Sequence, residues 1–209
     1  MVFQIMIIAS APVEKYDFYI DYVKESDICI CADGGANTAK EMEISPDYII
    51  GDLDSIKPEI LKFYKDKSKI IKDENQNKTD FELALELAES LNPKKIIIIG
   101  AIGKRIDHTL ANIFSISKIN KNIRIIIVDH NNSLEIIEKD SDIIGSKDDL
   151  VSIVPLTKIK NLNYKGFKWN VNNLDTNFGW FGISNRLDNK KANISLSKGK
   201  LLLIRVNKQ

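Results

Sequence analysis

Asp52 and Asp54 are the side chains best suited to chemistry, because they stand two residues apart directly after the apolar run Tyr48–Gly51. If that run is a strand, both carboxylates lie at its carboxyl end and on one face. Carboxylate oxygens suit Mg²⁺, which usually takes one or two of them and keeps water or substrate phosphates in its other positions. The stretch also fits a polar turn that caps a helix at Pro58, since Asp and Ser are ordinary turn and N-cap residues.

Polar side chains gather at four predicted strand ends, in residues 32–37, 51–55, 77–80 and 100–108. Parallel strands bring their carboxyl ends to one edge of a sheet, so these clusters are expected to meet there if the strands are neighbours. Four aspartates would then face a lysine, an arginine and two helix N-termini, which favour anions. That mixture of charges suits a polyphosphate that carries Mg²⁺.

The common nucleotide-binding motifs are absent from the sequence. Two residues separate Gly100 from Gly103 before Lys104, whereas a P-loop has four, and no Gly-x-Gly-x-x-Gly is present. Gly34 and Gly35 fit either a tight strand-to-helix turn or a close approach of the backbone to a ligand. The sequence therefore excludes a P-loop kinase and leaves the role of the glycine pair open.

Short β-branched runs alternate with helical patterns over the first two thirds of the chain. They predict strands at residues 3–9, 27–32, 48–51, 69–72, 95–100 and 124–129. No polar residue interrupts the run from Ile96 to Ile99, which is typical of a strand covered on both faces in a mainly parallel sheet.

Two predicted helices carry candidate site residues. Thr79 and Glu82 have the spacing of a capping box, so Asp80 is expected in the first turn of a helix. A second helix over residues 107–119 is apolar around much of its circumference, which predicts that it is well buried. His108 at its start fits a helix cap or a buried hydrogen-bonding histidine as well as a nucleotide contact.

After about residue 130, short β-like pieces replace the helical patterns. They lie at residues 133–138, 150–155, 166–169, 183–185, 192–196 and 201–206, and their close spacing predicts a small antiparallel sandwich or barrel. The predicted fold class is therefore α/β, with an N-terminal doubly wound, mainly parallel sheet domain over residues 1–130. A C-terminal antiparallel β-sandwich domain is expected over residues 131–209.

The composition is that of an ordinary globular protein, with 44% apolar residues among 209 and a formal net charge of +1. No global field therefore favours nucleic acid or an anionic membrane. The apolar N-terminal stretch lacks a basic flank, and no run approaches the roughly 20 apolar residues of a membrane helix, so we expect a cytoplasmic protein. Cys29 and Cys31 lack a second Cys or His pair and are interpreted as core residues.

Short motifs follow one another along nearly the whole chain. In the N-terminal part they are Ala-Asp33-Gly-Gly-Ala-Asn37, Pro46-Asp-x-x-x-Gly51-Asp52-Leu-Asp54-Ser55, Lys78-Thr79-Asp80 and Arg105-Ile-Asp107-His108-Thr109-Leu-Ala-Asn112. In the C-terminal part they are Gly166-Phe-Lys-Trp169, Ser184-Asn185 and Gly199-Lys-Leu-Leu-Leu-Ile. Each motif is weak alone, but the ordered set resembles the thiamine pyrophosphokinase (thiamine diphosphokinase) family.

The resemblance implies an N-terminal catalytic domain that binds ATP and Mg²⁺, and a C-terminal domain that binds thiamine and mediates dimerisation. It implies a homodimer whose active sites lie between the subunits. The implied reaction transfers a pyrophosphoryl group from the co-substrate ATP to the hydroxyl of thiamine and releases AMP.

The resemblance also implies roles for individual residues. The implied catalytic residues are Asp52, Asp54, Asp80 and Arg105, and the three aspartates are the Mg²⁺ ligands, directly or through water. The implied ATP-binding residues are Asp33, Gly34, Gly35, Asn37, Lys78, Thr79, Lys104, Arg105, Asp107 and His108. The implied thiamine-binding residues are Asn112, Trp169, Ser184 and Asn185.

Two of the thiamine candidates have a physical rationale. The amide of Asn185 offers a donor and an acceptor, which match the two edges of an aminopyrimidine. Trp169 fits stacking on a cationic ring, although a Trp in a strand of a small sandwich is more often a core residue.

One position departs from the family pattern, which commonly has Gly-Gly-Arg where this chain has Gly103-Lys104-Arg105. If the replaced glycine needs positive φ, Lys104 carries strain of about 1 kcal/mol or more. If it does not, Lys104 adds a phosphate contact.

Two other functions are weighed against the kinase. Asp52-Leu53-Asp54 is similar to the Asp-x-Asp of haloacid-dehalogenase-type phosphatases, but it lies late in the chain and is followed by Ser55. A non-catalytic sensor of thiamine or nucleotide is the other alternative, and the complete set of aspartates argues against it.

Overall fold

The computed structural model describes residues 2–73, 77–120 and 122–207. They belong to two compact units, Met1–His130 and Asn131–Gln209, called unit 1 and unit 2 below. In the described part of the chain, no helix has the length and apolar character needed to span a membrane.

Unit 1 is built on a parallel sheet. Its strands are β1 (Gln4–Ile8), β2 (Ile28–Ala32), β3 (Tyr48–Gly51), β4 (Lys69–Lys72), β5 (Lys95–Ile99) and β6 (Arg124–Val128). They lie in the order β6-β5-β1-β2-β3-β4, and every neighbouring pair is parallel. The chain proceeds from β1 to β4 in one direction and then returns to the other side of β1. The strand order therefore reverses between β1 and β5, where open α/β sheets usually bind ligands.

Helices cover both faces of this sheet. They are a 3₁₀ helix (Tyr16–Tyr19), α1 (Ile20–Lys24), α2 (Gly35–Glu41), α3 (Pro58–Tyr64), α4 (Asp80–Ser90) and α5 (Ile106–Ile116). Ala36 of α2 and Ile60 of α3 pack in one core cluster with Met6 and Cys31. The alternate strand residues, such as Ile7 and Ile98, are also buried, and α4 packs against β1, β2 and β3. The parallel, doubly covered sheet follows from the uninterrupted β-branched runs.

Cys29 and Cys31 are free and buried in the core of unit 1. Burial and a hydrogen bond with Cys29 raise the pKa of the Cys31 thiol well above its ordinary value. Their interpretation as core residues is confirmed.

The helix α5 is far less buried than its sequence predicts. Ile106, Leu110 and Phe114 are 66%, 47% and 46% exposed. These residues are spaced four apart and therefore form one apolar row, called the α5 stripe below. The prediction of a well-buried helix is wrong, because helical periodicity shows where an apolar face lies but not whether the same chain covers it.

Unit 2 is a sandwich of two antiparallel sheets. Its strands are β7 (Asn132–Ile137), β8 (Ser141–Ile144), β9 (Leu150–Pro155), β10 (Ile159–Lys165), β11 (Val171–Thr176), β12 (Gly182–Arg186), β13 (Lys191–Ser195) and β14 (Leu201–Val206). The sheet orders are β12-β9-β14-β7 and β11-β10-β13-β8. Ile153 and Leu203 from the first sheet share a core cluster with Leu162 and Ile194 from the second. The predicted fold class is confirmed.

One strand prediction in unit 2 is wrong, and three strands were missed. Residues 166–169 form no strand, although Phe167 makes an isolated bridge to Leu187. The strands β8, β10 and β11 were not predicted. In β10, Asn161 has a left-handed backbone (φ 52°) and the register with β11 shifts there. Buried Ile159 and Leu162 are consequently three residues apart, which hides the alternation of a strand.

Candidate functional site

Three carboxylates meet at the carboxyl edge of the parallel sheet in unit 1. Asp33 follows β2, Asp52 follows β3 and Asp80 is the first residue of α4. One oxygen from each lies within 4.8 Å of the others. We call these three residues the carboxylate cluster. Two of them directly follow strands, as the polar residues at the predicted strand ends indicated.

Close backbone packing makes room for the carboxylate cluster. A Cβ on Gly35 would lie 2.0 Å from the Ile8 carbonyl oxygen, so only glycine fits beside β1. Gly51 has φ +147°, and a Cβ there would lie 2.6 Å from Asp80 Oδ1. Both glycines are therefore required by close approach.

The first turn of α4 holds Asp80 in place. Thr79 Oγ1 accepts a hydrogen bond from Glu82 N at 3.2 Å, and Glu82 Oε2 accepts one from Thr79 N at 3.2 Å. The predicted capping box is confirmed. Lys118 adds an ion pair with Glu82 at 3.1 Å.

Asp33 is the most buried member of the cluster. Asp33 has a left-handed backbone conformation (φ 41°), and the residue is only 2% exposed. Among the described residues, its buried Oδ1 has no hydrogen-bond partner. Burial raises the pKa of Asp33, and Asp52 and Asp54 raise it further, while Ser55 and the Gly34 amide lower it.

Asp80 experiences the same crowding. Burial raises its pKa and the neighbouring charges of Asp33 and Asp52 add to the shift, whereas the backbone amide of Asp52, 3.2 Å from Asp80 Oδ1, lowers it. The cluster thus concentrates acceptor oxygens with few donors. A divalent cation would satisfy such a set.

Asp54 lies outside the group of three carboxylates. Its backbone amide donates to Asp52 Oδ1 at 3.1 Å, and its Oδ1 accepts a hydrogen bond from Ser55 Oγ at 2.9 Å. Leu53 has a left-handed backbone (φ 69°), so the stretch does form a tight turn. The N-cap of α3 is Lys57, however, so neither Asp54 nor Ser55 caps that helix.

A cavity of about 320 Å³ opens beside the cluster, at the carboxyl ends of β1, β2 and β5. It lies at the point where the strand order reverses. Among the predicted site residues of unit 1, those that line it are Asp33, Thr79, Asp80, Lys104, Arg105, His108 and Asn112. Those that do not are Gly34, Gly35, Asn37, Asp52, Asp54, Lys78 and Asp107.

Neighbouring residues fix the rim of this cavity. Asn37 Nδ2 donates to the Ser55 carbonyl at 2.9 Å and its Oδ1 accepts from Lys57 N at 3.1 Å. Asn112 Nδ2 donates to the Ala101 carbonyl at 2.9 Å. Asn112 was predicted as a thiamine contact, and the structure places it among the ATP candidates of unit 1.

The loop after β1 also belongs to the site, although none of its residues was predicted there. Ser10 lines the cavity with Ala9, Ala11 and Pro12, and its hydroxyl donates to the Ala32 carbonyl at 3.0 Å. This loop also follows a parallel strand, so the rule that ligands bind beyond strand carboxyl ends could have identified it.

Two basic residues of the predicted site, Arg105 and Lys78, are engaged in exposed ion pairs. Arg105 makes three hydrogen bonds to Asp107, from Nε to Oδ1 at 2.9 Å, from Nε to Oδ2 at 3.3 Å and from Nη2 to Oδ2 at 2.6 Å. The pair lowers the pKa of Asp107 and raises that of Arg105. Lys78 pairs with Glu86 at 2.7 Å. Exposed pairs contribute little to stability, so phosphate oxygens could replace these carboxylates.

Lys104 has no strained backbone. Among the described residues it is not one of those with positive φ, so the strain considered for this position is absent. A Cβ on Gly103 would lie 2.8 Å from the Ala11 Cβ, which explains the glycine that is retained.

The thiamine candidates of unit 2 lie around β12. Trp169 is 55% exposed, so it is not a core residue. Ser184 is exposed on a left-handed backbone (φ 61°), and its amide donates to Ser152 Oγ at 3.0 Å.

Asn185 is buried and engaged within the chain. Its Oδ1 accepts from Trp169 N at 3.2 Å and from Arg186 N at 2.9 Å, while Nδ2 donates to the Trp169 carbonyl at 2.8 Å. Both acceptor positions of the amide are therefore used. In this structure the side chain does not offer both edges to a ligand.

Comparisons with known proteins agree with this geometry. Residues 19–127 match the sequence model described as "Thiamin pyrophosphokinase, catalytic domain", and residues 134–201 match "Thiamin pyrophosphokinase, vitamin B1 binding domain". The chain is 30% identical to thiamine pyrophosphokinase of Bacillus subtilis, over 96% of this chain and 97% of that protein.

Solved structures are similar over the full length as well. A crystal structure of thiamine pyrophosphokinase from Bacillus subtilis has a TM-score of 0.88 at 29% identity and covers 99% of this chain and 100% of its own. A second, from Geobacillus thermodenitrificans, has a TM-score of 0.86 at 26% identity and covers 99% and 98%.

Proposed function

This chain belongs to the thiamine pyrophosphokinase family, and on that premise we propose that it transfers a pyrophosphoryl group from ATP to the hydroxyl of thiamine. The products are thiamine diphosphate and AMP. The observation that carries this proposal is the partly buried carboxylate cluster beside a cavity at the reversal point of a parallel sheet. The two alternatives, a sensor and a phosphohydrolase, are not favoured by relatives that are named as kinases.

The carboxylate cluster fits Mg²⁺. The orphaned Oδ1 of Asp33 and the crowded oxygens of Asp52 and Asp80 are hard donors without enough protein partners. Asp33, Asp52 and Asp80 would hold the ion, and Asp54 would act through water. Bound Mg²⁺ would neutralise charge on the phosphates and favour attack at the β-phosphorus.

The cavity of unit 1 is the proposed ATP site. Lys104, Arg105 and His108 line it near the start of α5, where backbone amides favour phosphate oxygens. Arg105 would exchange Asp107 for a phosphate, because a guanidinium binds either group with two parallel hydrogen bonds. The other predicted ATP residues would either shape this site or contact the nucleotide. They are Gly34, Gly35, Asn37, Lys78 and Thr79.

The proposed thiamine contacts in unit 2 are Trp169 and Ser184. Trp169 presents an exposed ring on which a cationic thiazolium can stack. Ser184 is exposed and directly precedes Asn185, whose side chain bonds to the backbone of Trp169, and the Ser184 hydroxyl can donate or accept.

We further propose a homodimer with active sites between the subunits. The α5 stripe in unit 1 and exposed Phe178, Phe181 and Ile183 in unit 2 support it, because such apolar surfaces often mark protein interfaces. The proposed compartment is the cytoplasm, and the free cysteines fit its reducing conditions.

An assay with purified protein, ATP, Mg²⁺ and thiamine tests the reaction, with the nucleotides and thiamine species separated by chromatography. We expect AMP and thiamine diphosphate in equal amounts. ADP with thiamine monophosphate would reassign the attacked phosphorus, phosphate released without thiamine would favour the hydrolase, and thiamine binding without any product would favour the sensor.

A further inference from the structure

Asn185 occupies an unusual position at the end of a short backbone ladder. Residues 166–168 pair with residues 186–188 through hydrogen bonds from Lys168 N to the Arg186 carbonyl and from Asp188 N to the Gly166 carbonyl, both 2.9 Å. At the next residue, Trp169, both backbone groups bond to the side chain of Asn185 instead. The side-chain amide thus takes the place of a peptide group, since it carries the same donor and acceptor.

A β-bulge directs this amide inwards. Gly182 faces Ile153 and Asn185 faces Val151, so β12 has one more residue than β9 between these pairs. The left-handed backbone of Ser184 accommodates the additional residue. As a result Ile183 and Ser184 are both exposed, whereas Asn185 is only 4% exposed.

The residue that Asn185 holds has an exposed ring suited to cations. The Lys168 ammonium lies 4.7 Å from the centroid of the Trp169 ring, so this face already accepts a positive charge. The remaining exposure of the indole leaves room for a flat cationic ligand.

We propose that Asn185 is a positioning residue, which fixes the backbone of Trp169 so that its indole is ready to receive the cationic ring of thiamine. This inference rests on the proposed function, because it assigns how one half of the substrate site is held. Asn185 then affects thiamine binding through Trp169 and not through its own contact with the aminopyrimidine.

The first test measures the local motion of the Trp169 side chain in the absence of ligand. The chain has two tryptophans, so a Trp180→Phe background leaves Trp169 as the reporter. In the full-length protein we expect Asn185→Ala to increase the local motion of Trp169 in time-resolved fluorescence anisotropy. Asn185→Asp retains the acceptor but loses the donor and should give an intermediate change. The matched control Asn189→Ala replaces an exposed asparagine in the following turn and should give none.

The second test measures thiamine affinity by calorimetry. Asn185→Ala and Trp169→Ala should each weaken binding about tenfold, the size of a lost cation–π contact. The double variant should bind no more weakly than Trp169→Ala alone, because residues that act through one another are not additive.

Unchanged anisotropy of Trp169 in both Asn185 variants would overturn the proposal. So would additive losses in the double variant, which would mean that Asn185 contacts thiamine directly. Failure of the unmodified protein to bind thiamine would overturn the proposed function instead, and the anisotropy of the ligand-free variants would still decide whether Asn185 fixes Trp169. If Asn185→Ala does not fold, the comparison is made with the nearly isosteric Asn185→Asp.

Discussion

The carboxylate cluster of unit 1 and the Trp169 face of unit 2 are held in place by different means. Main-chain geometry places the cluster: two strand ends, two closely packed glycines and a helix cap. A single side-chain amide and a β-bulge place Trp169. The cluster should therefore keep its geometry when one carboxylate is changed and lose mainly charge, whereas the Trp169 face should lose its geometry when one amide is changed.

The largest expected effect is that of Asp80→Asn. Its backbone position is fixed by the capping box, so the fold should remain while turnover falls on the order of 10³-fold, the loss typical of a group that stabilises transition-state charge. Turnover and Mg²⁺ affinity are measured by the AMP assay and by calorimetry. Asp66→Asn, at an exposed position after α3, is the control. An active Asp80→Asn protein with unchanged Mg²⁺ dependence would remove Asp80 from the metal site.

The next largest effect is expected for the proposed dimer interface at the α5 stripe. Leu110→Glu together with Phe114→Lys places charges in the α5 stripe, which should separate a dimer into monomers at micromolar concentration. Light scattering after size exclusion measures the mass. Glu59→Lys, a charge change on α3 of the same unit, should leave the mass unaltered. A dimer that persists in the double variant would show that the stripe is not its interface.

Repulsion among the carboxylates of the cluster should lower the free energy of unfolding of the metal-free protein. Because burial raises the pKa of Asp33 in the folded state, ionisation disfavours folding as pH rises through that value. Asp33→Asn should therefore raise the melting temperature of the metal-free protein at pH 7, by about 2–4 °C if 1 kcal/mol is relieved. Asn also tolerates the left-handed backbone at this position.

The sign of this effect can be checked with acid. Well below about pH 3.9, the pKa of an unfolded aspartate, both states are protonated and the gain should vanish. Mg²⁺ should stabilise the unmodified protein more than Asp33→Asn, because the variant has lost one ligand charge. If metal-free Asp33→Asn is less stable than the unmodified protein at pH 7, charge repulsion does not destabilise the cluster, and this difference between unit 1 and unit 2 is not real.

The same difference explains what could be predicted from the sequence. Uninterrupted runs predicted β3 and β4 with their observed bounds, and strand ends then predicted that Asp52, Asp54 and Asp80 would meet with Asp33 nearby. Asp33, Asp52 and Asp80 do meet, but Asp54 lies outside the group. In unit 2, the left-handed Asn161 and Ser184 shift the alternation of β10 and β12. Those shifts arise from left-handed backbone conformations, which the alternation of apolar and polar residues does not reveal. The strand β10 was missed for this reason.

Two side-chain environments also escaped prediction. Trp169 was assigned either to a ligand or to the core, and only its 55% exposure decides against the core. Asn185 was expected to face a ligand, but its partners are three backbone groups brought near by a bulge. Tertiary partners of a polar side chain cannot be read from its neighbours in sequence.

A smaller effect is expected for the helix cap of unit 1. Thr79→Ala removes the acceptor for Glu82 N and should lower the free energy of unfolding by about 1 kcal/mol. Mg²⁺ affinity should fall a few-fold, because Asp80 directly follows the cap. Ser90→Ala removes a hydroxyl at the other end of α4 and serves as the control. Lower stability with unchanged Mg²⁺ affinity would show that the strands alone position the cluster.

The smallest expected effect is that of Lys104→Gly, which restores the glycine common in the family. Since Lys104 does not have positive φ, no strain is relieved, and the added freedom of the unfolded chain should cost about 0.4–1 kcal/mol relative to Lys104→Ala. Both variants should raise the Michaelis constant for ATP by a similar few-fold factor, because both lose the ammonium beside the cavity. A higher melting temperature for Lys104→Gly than for Lys104→Ala would mean that this loop, like β12 of unit 2, depends on a special backbone conformation.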